Sequence, residues 1–277
     1  MNSNPKMIIG TEFLSRQNHN IEYLREYFDY ALKNNFNEID TAYSYGENNS
    51  VEKILGEVLK KDRKRFVISS KFLKIHKDNR TSVIKTLDDI KYSVETSLKN
   101  LKTDYLDIYY FHSGSNEQFF NDQIWHYLNN LKKQQILIDL GLSIKNDLIL
   151  KNSLQQIDFL KQYGISKVQF VFNMLSDQAK YELIPKLNKM DIEFFGRMPY
   201  AKGFLINNYI FEHSIEEISN KFNEIKMIEN AVNIKKNYQN LEKKDAINYC
   251  LNSVKKVILA SSNLNQLKEN INIFKEI

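Results

Sequence analysis

Cysteine is nearly absent from the sequence: Cys250 is the single thiol among 277 residues. One cysteine cannot close an internal disulfide, so a small disulfide-stapled fold is excluded. Long apolar stretches are absent as well, since no run reaches the roughly 18–20 residues that a membrane-spanning helix needs. The first residues contain no apolar signal segment. We therefore expect a cytoplasmic protein without a membrane partner, with Cys250 as a buried packing residue.

Charge of one sign is not concentrated anywhere along the chain. The net charge is +5, but lysine and glutamate residues are interspersed. The basic stripe interleaved with aromatic residues that is typical of nucleic-acid-binding proteins is missing. We expect no nucleic-acid partner, and we expect the positive charge to lie on a solvated surface that helps attract an anionic cofactor or substrate.

Motifs for several other chemistries are also missing. The histidines other than His112 show no metal-ligand spacing with acids or with the cysteine, so no metal is predicted. No Gly-x-Ser-x-Gly turn for a nucleophilic serine occurs. Gly10 follows the first predicted strand without a Gly-x-Gly-x-x-Gly pattern, which makes an open doubly wound sheet the weaker fold alternative.

The chain does contain a regular alternation of short β-rich runs and amphipathic helical runs. The predicted strands are residues 6–11, 37–41, 65–70, 105–111, 137–142, 167–172, 192–197 and 256–259. The predicted helices cover residues 21–35, 50–61, 87–101, 121–133, part of 147–163, 176–189, 214–253 with breaks, and 263–274. Eight strands, each followed by helix and most of them spaced by roughly 25–30 residues, predict an α/β fold, a (β/α)8 TIM barrel, as a single domain over residues 1–277. The exception to this spacing is the long helical segment between strands seven and eight.

Polar side chains stand at the carboxyl ends of three successive predicted strands. Asp40 and Tyr45 follow the second strand, Lys71 the third and His112 the fourth. Each residue alone has an ordinary explanation, as a turn, surface or core side chain. Together they are predicted to converge, because catalytic residues of these barrels come from the carboxyl ends of several strands.

This set of side chains suits proton-coupled hydride transfer. A phenol has an ordinary pKa of about 10 and is a poor acid at neutral pH. A neighbouring ammonium lowers that pKa, and a carboxylate keeps the ammonium charged and oriented. The predicted roles are Tyr45 as acid/base, Lys71 as the group that lowers its pKa, and Asp40 as the partner of Lys71. His112 is predicted to hydrogen-bond a substrate carbonyl and orient it.

The same residues resemble the aldo-keto reductase superfamily. Residues 40–46 read Asp-x-x-x-x-Tyr-Gly, and Lys71 stands at a strand end. Residues 97–107 read Ser-Leu-x-x-Leu-x-x-Asp-Tyr-hydrophobic-Asp and lead to His112, in the order of the family. The resemblance covers residues 7–271. It implies a (β/α)8 barrel, an Asp–Tyr–Lys–His tetrad, and NADP or NAD bound extended across the barrel mouth.

The resemblance also implies residues for the nicotinamide and pyrophosphate. Ser143 and Gln169 match the positions that bind the nicotinamide carboxamide, although Ile144 replaces a common asparagine. Gly203 lies in the strand-seven segment whose backbone approaches the pyrophosphate. Arg197 stands where many members stack a tyrosine, and it could pair with a cofactor phosphate, an anionic substrate or a carboxylate at the barrel rim.

For the adenosine part of the cofactor, the resemblance implies residues at the start of the last predicted helix and within it. The implied residues are Ser261, Ser262, Glu269 and Asn270. A helix N-terminus with free N–H groups and hydroxyls suits a phosphate. Ala260 and Gln266 replace the lysine and arginine with which many members grip the 2′-phosphate of NADP. NADP is the family default, and NAD or dual use stays open.

The expected activity is the reduction of a carbonyl substrate or the reverse oxidation of an alcohol. Residues 113–118 are short and polar, and the chain ends soon after Asn270, so we expect an open site for a polar substrate such as a sugar or sugar derivative. Two alternatives remain open: a sugar dehydrogenase, and a nicotinamide-binding regulatory or interaction subunit without significant turnover. The oligomeric state is not predicted.

Overall fold

The structure of the protein is a computed structural model that describes residues 5–16, 20–77, 80–144, 153–206, 209–221 and 225–277. The strands in these ranges are β1 (Met7–Gly10), β2 (Glu38–Asp40), β3 (Val67–Phe72), β4 (Lys74–Lys77), β5 (Arg80–Val83), β6 (Leu106–His112), β7 (Leu137–Ser143), β8 (Ile165–Val171), β9 (Glu193–Arg197) and β10 (Lys256–Ala260). Eight of them close a parallel barrel in the order β1-β10-β9-β8-β7-β6-β3-β2. The predicted (β/α)8 barrel is confirmed, and the open-sheet alternative is wrong.

Helices alternate with the barrel strands. They are α1 (Ile21–Lys33), α2 (Ser50–Leu59), α3 (Leu87–Leu101), α4 (Asn116–Phe119), α5 (Asp122–Lys133), α6 (Ser153–Asp158), α7 (Leu183–Lys189), α8 (Tyr209–Glu212), α9 (Ile215–Ser219), α10 (Ile225–Asn237), α11 (Lys243–Leu251) and α12 (Leu264–Glu276). Helix α1 packs against α2 and α12, and α2 packs against α3. No helix in the described ranges is both long enough and apolar enough to cross a membrane.

The barrel strands are covered on both faces, which explains their continuous apolar runs. In β6, for example, Tyr109, Tyr110 and Phe111 are successive buried residues. Parallel strands between a barrel interior and a helical layer have this pattern. The eight predicted strands coincide with the observed ones, with ends that differ by one or two residues at most. One such difference matters for the site: β3 extends to Phe72, which places Lys71 inside the strand.

Helix α1 shows how the sequence fixes an outer helix. The Asn20 side chain caps it by accepting a hydrogen bond from the Glu22 N–H. Leu24, Phe28 and Ala31 recur at helical spacing and are buried together on one face. Burying a side chain such as Leu24 contributes about 1.5–3 kcal/mol relative to leaving it exposed. The predicted helix over residues 21–35 is confirmed.

The prediction is wrong at the start of the helix placed over residues 176–189. Helix α7 begins only at Leu183. The Asn173 side chain accepts hydrogen bonds from the N–H groups of Leu175 and Ser176, both at 3.0 Å, and so closes a turn there. The helix predicted within residues 147–163 falls partly on 145–152, outside the described residues; α6 is its described part. The antiparallel hairpin β4–β5 was not predicted.

The segment between β9 and β10 contains α8 to α11 and a small apolar core. Buried members of this core include Leu205, Ile210, Ile218, Ala231, Ile234, Leu241 and Ala246. The predicted helical region with breaks is confirmed. In α11, Cys250 is fully buried and its thiol donates to the Phe172 carbonyl at 3.2 Å. Burial raises the pKa of the Cys250 thiol to about 12, so its predicted packing role is confirmed.

Candidate active site

A buried ion pair lies at the centre of the site. The Lys71 side chain is 0% exposed and the Asp40 side chain 4%, and Lys71 Nζ lies 2.6 Å from Asp40 Oδ2. The same ammonium donates to the Thr41 carbonyl at 2.6 Å. Two buried charges are tolerated only when they are paired and hydrogen-bonded. The predicted partnership of Asp40 with Lys71 is therefore present in the structure.

The second carboxylate oxygen of Asp40 is also occupied. Asp40 Oδ1 accepts from the Ser69 hydroxyl at 3.1 Å and from Gln169 Nε2 at 2.9 Å. Ser69 and Lys71 lie two residues apart on β3, so both face the barrel interior. With three donors on its two oxygens, Asp40 is held in one position. The contact with Gln169 was not predicted.

Tyr45 lies in the turn between β2 and α2. Its hydroxyl is 3.5 Å from Lys71 Nζ, and that ammonium lies 5.0 Å from the ring centroid. Gly46 follows with a φ of +72°, and a Cβ there would meet Ser50 Oγ at 2.1 Å. Glycine is therefore required for the chain to turn sharply after the phenol.

Burial raises the pKa of Tyr45 above 10.0, although the Lys71 ammonium acts in the opposite direction. The predicted sign of the lysine's effect is right. The net pKa is raised, because the loss of hydration around the part-buried hydroxyl outweighs the attraction of the ammonium.

His112 completes the group at the end of β6, beside Ser143 of β7. Its ring centroid lies 6.3 Å from that of Tyr45, with the two rings at 78°. Burial, and then the charges of Lys71 and Arg197, hold the pKa of His112 well below 6.5. The imidazole is therefore neutral at physiological pH and offers one N–H donor and one acceptor. The structure brings all four predicted tetrad residues together.

Three residues that were predicted to bind the cofactor lie on the three adjacent strands β7, β8 and β9. Ser143 ends β7, Gln169 lies in β8, and Arg197 ends β9. Each has a buried polar atom without a hydrogen-bond partner in the described part of the chain: Ser143 Oγ, Gln169 Oε1 and Arg197 Nε. Buried polar groups are nearly always hydrogen-bonded in native proteins. These side chains therefore fit a bound polar group, and the carboxamide of a nicotinamide has the complementary donors and acceptor.

Arg197 does not form the barrel-rim ion pair that was one of its alternatives. Its Nη2 donates to the Ile144 carbonyl at 2.6 Å. Among the described residues, no carboxylate pairs with its guanidinium. Burial lowers the pKa of Arg197 from its ordinary value, and the group stays charged at neutral pH. The Arg197 cation therefore acts on the tetrad, where its charge works to lower the pKa of both Tyr45 and His112.

The segment after β9 has unusual backbone geometry. Met198, Ala201 and Lys202 have φ angles of +61°, +47° and +58°, and Gly203 has +100°. Non-glycine residues in this region cost about 1–3 kcal/mol each, and such strain clusters at ligand sites. A Cβ at Gly203 would meet no atom within 4 Å. The predicted approach of a pyrophosphate to this backbone is compatible with that open space.

At the start of α12, the expected free N–H groups are partly occupied by the chain itself. The Ser262 N–H and hydroxyl both donate to Gln266 Oε1 at 2.9 Å. The Gln266 N–H donates to Asn263 Oδ1 at 2.9 Å, and the Leu264 N–H to the Tyr23 hydroxyl at 2.8 Å. The prediction of an open set of donors is wrong for these three N–H groups, because nearby side chains satisfy them first.

Ser261 and Asn270 belong to a buried hydrogen-bonded chain. Asn270 Nδ2 donates to Ser261 Oγ at 2.9 Å, and Asn270 Oδ1 accepts from Tyr200 at 3.0 Å. The Ser261 carbonyl accepts from the Tyr27 hydroxyl at 3.0 Å. These residues fix the shape of the loop before α12. Their predicted direct contact with a cofactor stays a prediction.

Glu269 faces solvent and is paired. Its side chain is 51% exposed, and Oε2 lies 2.6 Å from Lys243 Nζ of α11. The ammonium of Lys268 lies 5.3 Å from the centroid of the Tyr30 ring in α1. A role for Glu269 next to adenine stays a prediction. Among the described residues, no group of three or more His, Cys, Asp or Glu side chains is arranged to hold a metal ion.

Comparison with protein families identifies the class. Residues 6–276 match the model of the Aldo/keto reductase family. The match covers almost the whole chain, so the protein belongs to this family of oxidoreductases. The resemblance predicted from the sequence motifs is confirmed.

Individual relatives are distant. The uncharacterized oxidoreductase YqkF of Bacillus subtilis is 26% identical over 261 residues, covering 88% of this chain and 79% of that protein. The solved aldo-keto reductase AKR11C1 of Bacillus halodurans, in its holo form, has a TM-score of 0.75 at 20% identity, covering 97% of this chain and 86% of the other. An aldo/keto reductase of Klebsiella pneumoniae, solved with NADP and acetate, has a TM-score of 0.68 at 16% identity, covering 98% and 86%. The likeness to the two solved structures shows the fold.

Proposed function

We propose that the protein is an NAD(P)-dependent reductase of a carbonyl substrate, which can also run as an alcohol dehydrogenase. The observation that carries this proposal is the buried Lys71–Asp40 pair, whose ammonium lies 3.5 Å from the Tyr45 hydroxyl. Membership of the Aldo/keto reductase family supports it. The free, buried Cys250 suits a reducing cytoplasm.

Tyr45 is the proton donor in the reductive direction. Its raised pKa keeps the hydroxyl protonated at neutral pH, so a proton is available for the carbonyl oxygen. When that proton leaves, the phenolate forms beside the Lys71 ammonium, which stabilises the negative charge in a site of low dielectric. Asp40 keeps Lys71 charged and in place. In the oxidative direction the same phenolate takes the proton from the alcohol.

His112 has the role of orienting the substrate. Because its pKa is held well below 6.5, the imidazole is neutral and can donate one N–H to the carbonyl oxygen without competing as an acid. Its ring stands nearly perpendicular to the Tyr45 ring at a centroid distance of 6.3 Å. A carbonyl oxygen between the two side chains would receive one hydrogen bond from each.

NADP or NAD is the proposed cofactor, and its nicotinamide supplies the hydride when bound. Ser143 Oγ and Gln169 Oε1 would hold the carboxamide, since both are buried polar atoms that need a partner. The segment around Gly203 would hold the pyrophosphate. The NADP in the distant Klebsiella pneumoniae structure supports the assignment. A polar substrate such as a sugar or sugar derivative is proposed from the polar residues 113–118 beside His112.

The test is turnover by a matched pair of tyrosine variants. The wild-type protein is mixed with NADPH or NADH and a panel of aldehydes and aldoses, and the loss of reduced-nicotinamide absorbance is followed. We expect Tyr45→Phe to reduce turnover by about a thousandfold or more while cofactor binding, measured by quenching of protein fluorescence, is retained. Tyr43→Phe is the control, because Tyr43 lies in the same turn but is packed in the core.

Two results would contradict the proposal. Unchanged turnover in Tyr45→Phe would remove the phenol from the mechanism. Cofactor binding without turnover by the wild-type protein, across the whole panel, would instead favour a regulatory subunit.

A further inference from the structure

Gln169 and Asp40 meet across the full width of the barrel. Counted round the barrel from β2, β8 is the fourth strand in either direction. The two strands therefore face each other, and their side chains can touch only through the interior. Gln169 is 0% exposed, and its Nε2 reaches Asp40 Oδ1 at 2.9 Å.

The chemistry of the contact fixes which end of the Gln169 amide faces which way. An ionised carboxylate only accepts hydrogen bonds, so the NH₂ end must face Asp40. Gln169 Oε1 has no hydrogen-bond partner in the described residues, although the amide also interacts with the Tyr110 hydroxyl. Ser143 Oγ, on the adjacent strand in register with Gln169, is buried and unpartnered as well.

We propose that Gln169 is a positioning residue that joins the carboxamide site to the Asp40–Lys71 pair. Its Nε2 holds the carboxylate that orients Lys71, and its Oε1 accepts a hydrogen bond from the carboxamide N–H of the cofactor. The inference rests on the proposed function and adds a second task to a residue expected only to bind the cofactor. One side chain thereby sets both cofactor affinity and the geometry of the acid that protonates the substrate.

Substitution of Gln169 should have a different kinetic effect from substitution of Ser143. Gln169→Met keeps the length and volume of the side chain but removes both polar ends. Asp40 then loses a donor inside the protein, and an incompletely satisfied buried charge costs more than an ordinary lost hydrogen bond. Lys71 is held less firmly beside Tyr45, so the loss extends to kcat. Ser143→Ala removes only a cofactor contact, so its loss falls on the cofactor KM.

The experiment measures kcat at saturating cofactor, the cofactor KM, the fluorescence-quench Kd and the pH profile of kcat. For Gln169→Met we expect a weaker cofactor Kd and about a tenfold or greater loss of kcat. We also expect a shift in the alkaline limb of the pH profile, that is, in the pH at which kcat changes on the alkaline side. For Ser143→Ala we expect a weaker Kd and a higher KM, with an unshifted limb. Wild-type kcat and an unshifted limb in Gln169→Met would overturn the proposal, since Gln169 would then act on the cofactor alone.

A conservative variant provides a rescue. Gln169→Glu places a second carboxylate against Asp40, and two such groups share a proton at raised pKa. When the pair binds that proton, the carboxylic acid can donate to Asp40 as the amide does. The kcat of Gln169→Glu, relative to wild type, should therefore recover as pH falls, and that of Gln169→Met should not. Parallel pH behaviour of the two variants would contradict the hydrogen bond.

A measurement without cofactor separates this proposal from the proposed function. Denaturant midpoints are compared for Gln169→Met, Asp40→Ala and the double variant, since each single substitution removes one partner of the hydrogen bond. Residues in contact give non-additive effects, so the double variant should lose less than the sum of the single losses. Additive losses would overturn the contact. If wild-type protein neither binds nicotinamide nor reduces a carbonyl, the proposed function fails while this cycle still tests the contact.

Discussion

At the scale of single residues, the site is centred on one carboxylate that three side chains hold: Asp40 accepts from Lys71, Ser69 and Gln169. Spacing and position at strand ends pointed to Asp40, Tyr45, Lys71 and His112, and the structure brings them together. The contact from Gln169 could not be foreseen, because it depends on which strands face each other in the closed barrel. Ser69 could have been found, since it shares the inner face of β3 with Lys71 at a spacing of two.

The direction in which the pKa of Tyr45 is finally shifted also could not be predicted from the sequence. Proximity of an ammonium to a phenol can be inferred from motif order, but the depth of burial cannot. Because desolvation is the largest effect on the Tyr45 pKa and raises it, the sum has the opposite sign to the lysine's own effect. A quantity that depends on packing density needs the folded structure.

The lysine's effect can be measured by removing it. In Lys71→Met the ammonium that lowers the pKa of Tyr45 is lost, so that pKa should rise further. Oxidation of an alcohol needs the phenolate, so its rate increases with pH up to the Tyr45 pKa. We expect the midpoint of that increase to move to higher pH by at least about one unit. Profiles of kcat for alcohol oxidation, wild type against variant, check this; a midpoint that moves to lower pH would contradict it.

At the scale of elements, predictions succeeded where apolar periodicity is strong. Strands with continuous apolar runs and helices such as α1 were found at the right places. The hairpin β4–β5 was missed because its strands have four residues each and are rich in polar residues. The start of α7 was misplaced because Ser176 resembles a helix cap, while the side chain of Asn173 already closes a turn there.

The N-terminus of α12 leads to a prediction about cofactor choice. Gln266 occupies the Ser262 N–H and hydroxyl, and no cation lies within the first turn. A 2′-phosphate would gain little there, so NADH and NADPH should bind with similar Kd values. Gln266→Arg frees both Ser262 donors and adds a guanidinium, and should favour NADPH by about tenfold over NADH.

Fluorescence titration of both cofactors checks this, with Gln266→Met as the matched control that frees the donors without adding charge. A wild-type preference for NADPH of a hundredfold or more would mean that other groups, such as Arg197, bind the 2′-phosphate. An unchanged ratio in Gln266→Arg would place that phosphate away from α12.

At the scale of the whole molecule, the closed barrel was predictable from the count and spacing of strands. The packing that ties the barrel to its helices was not. Glu52 of α2 is fully buried and accepts from the Ser70 hydroxyl at 2.6 Å and from Asn100 Nδ2 at 3.3 Å. One carboxylate thus joins α2, β3 and α3 behind Lys71.

Glu52 should make stability depend on pH. Burial raises its pKa in the folded protein above 4.5. The folded state therefore holds the proton more tightly than the unfolded state, and stability is lost as pH rises from the unfolded pKa through the folded one. Glu52→Gln keeps the shape without the charge, so its stability relative to wild type should improve by about 1 kcal/mol or more between pH 4 and pH 8. Urea unfolding at both pH values checks this; a relative stability that falls with pH would contradict it.

The buried thiol of Cys250 in α11 can report when that helix separates from the barrel. Cys250 is the only cysteine in the sequence, it is 0% exposed, and it is bonded to the carbonyl that follows β8. A thiol reagent can reach it only when α11 separates from the barrel. The labelling rate of the native protein therefore reports how often α11 separates, and it can compare variants of the tetrad for damage to the fold without an engineered probe.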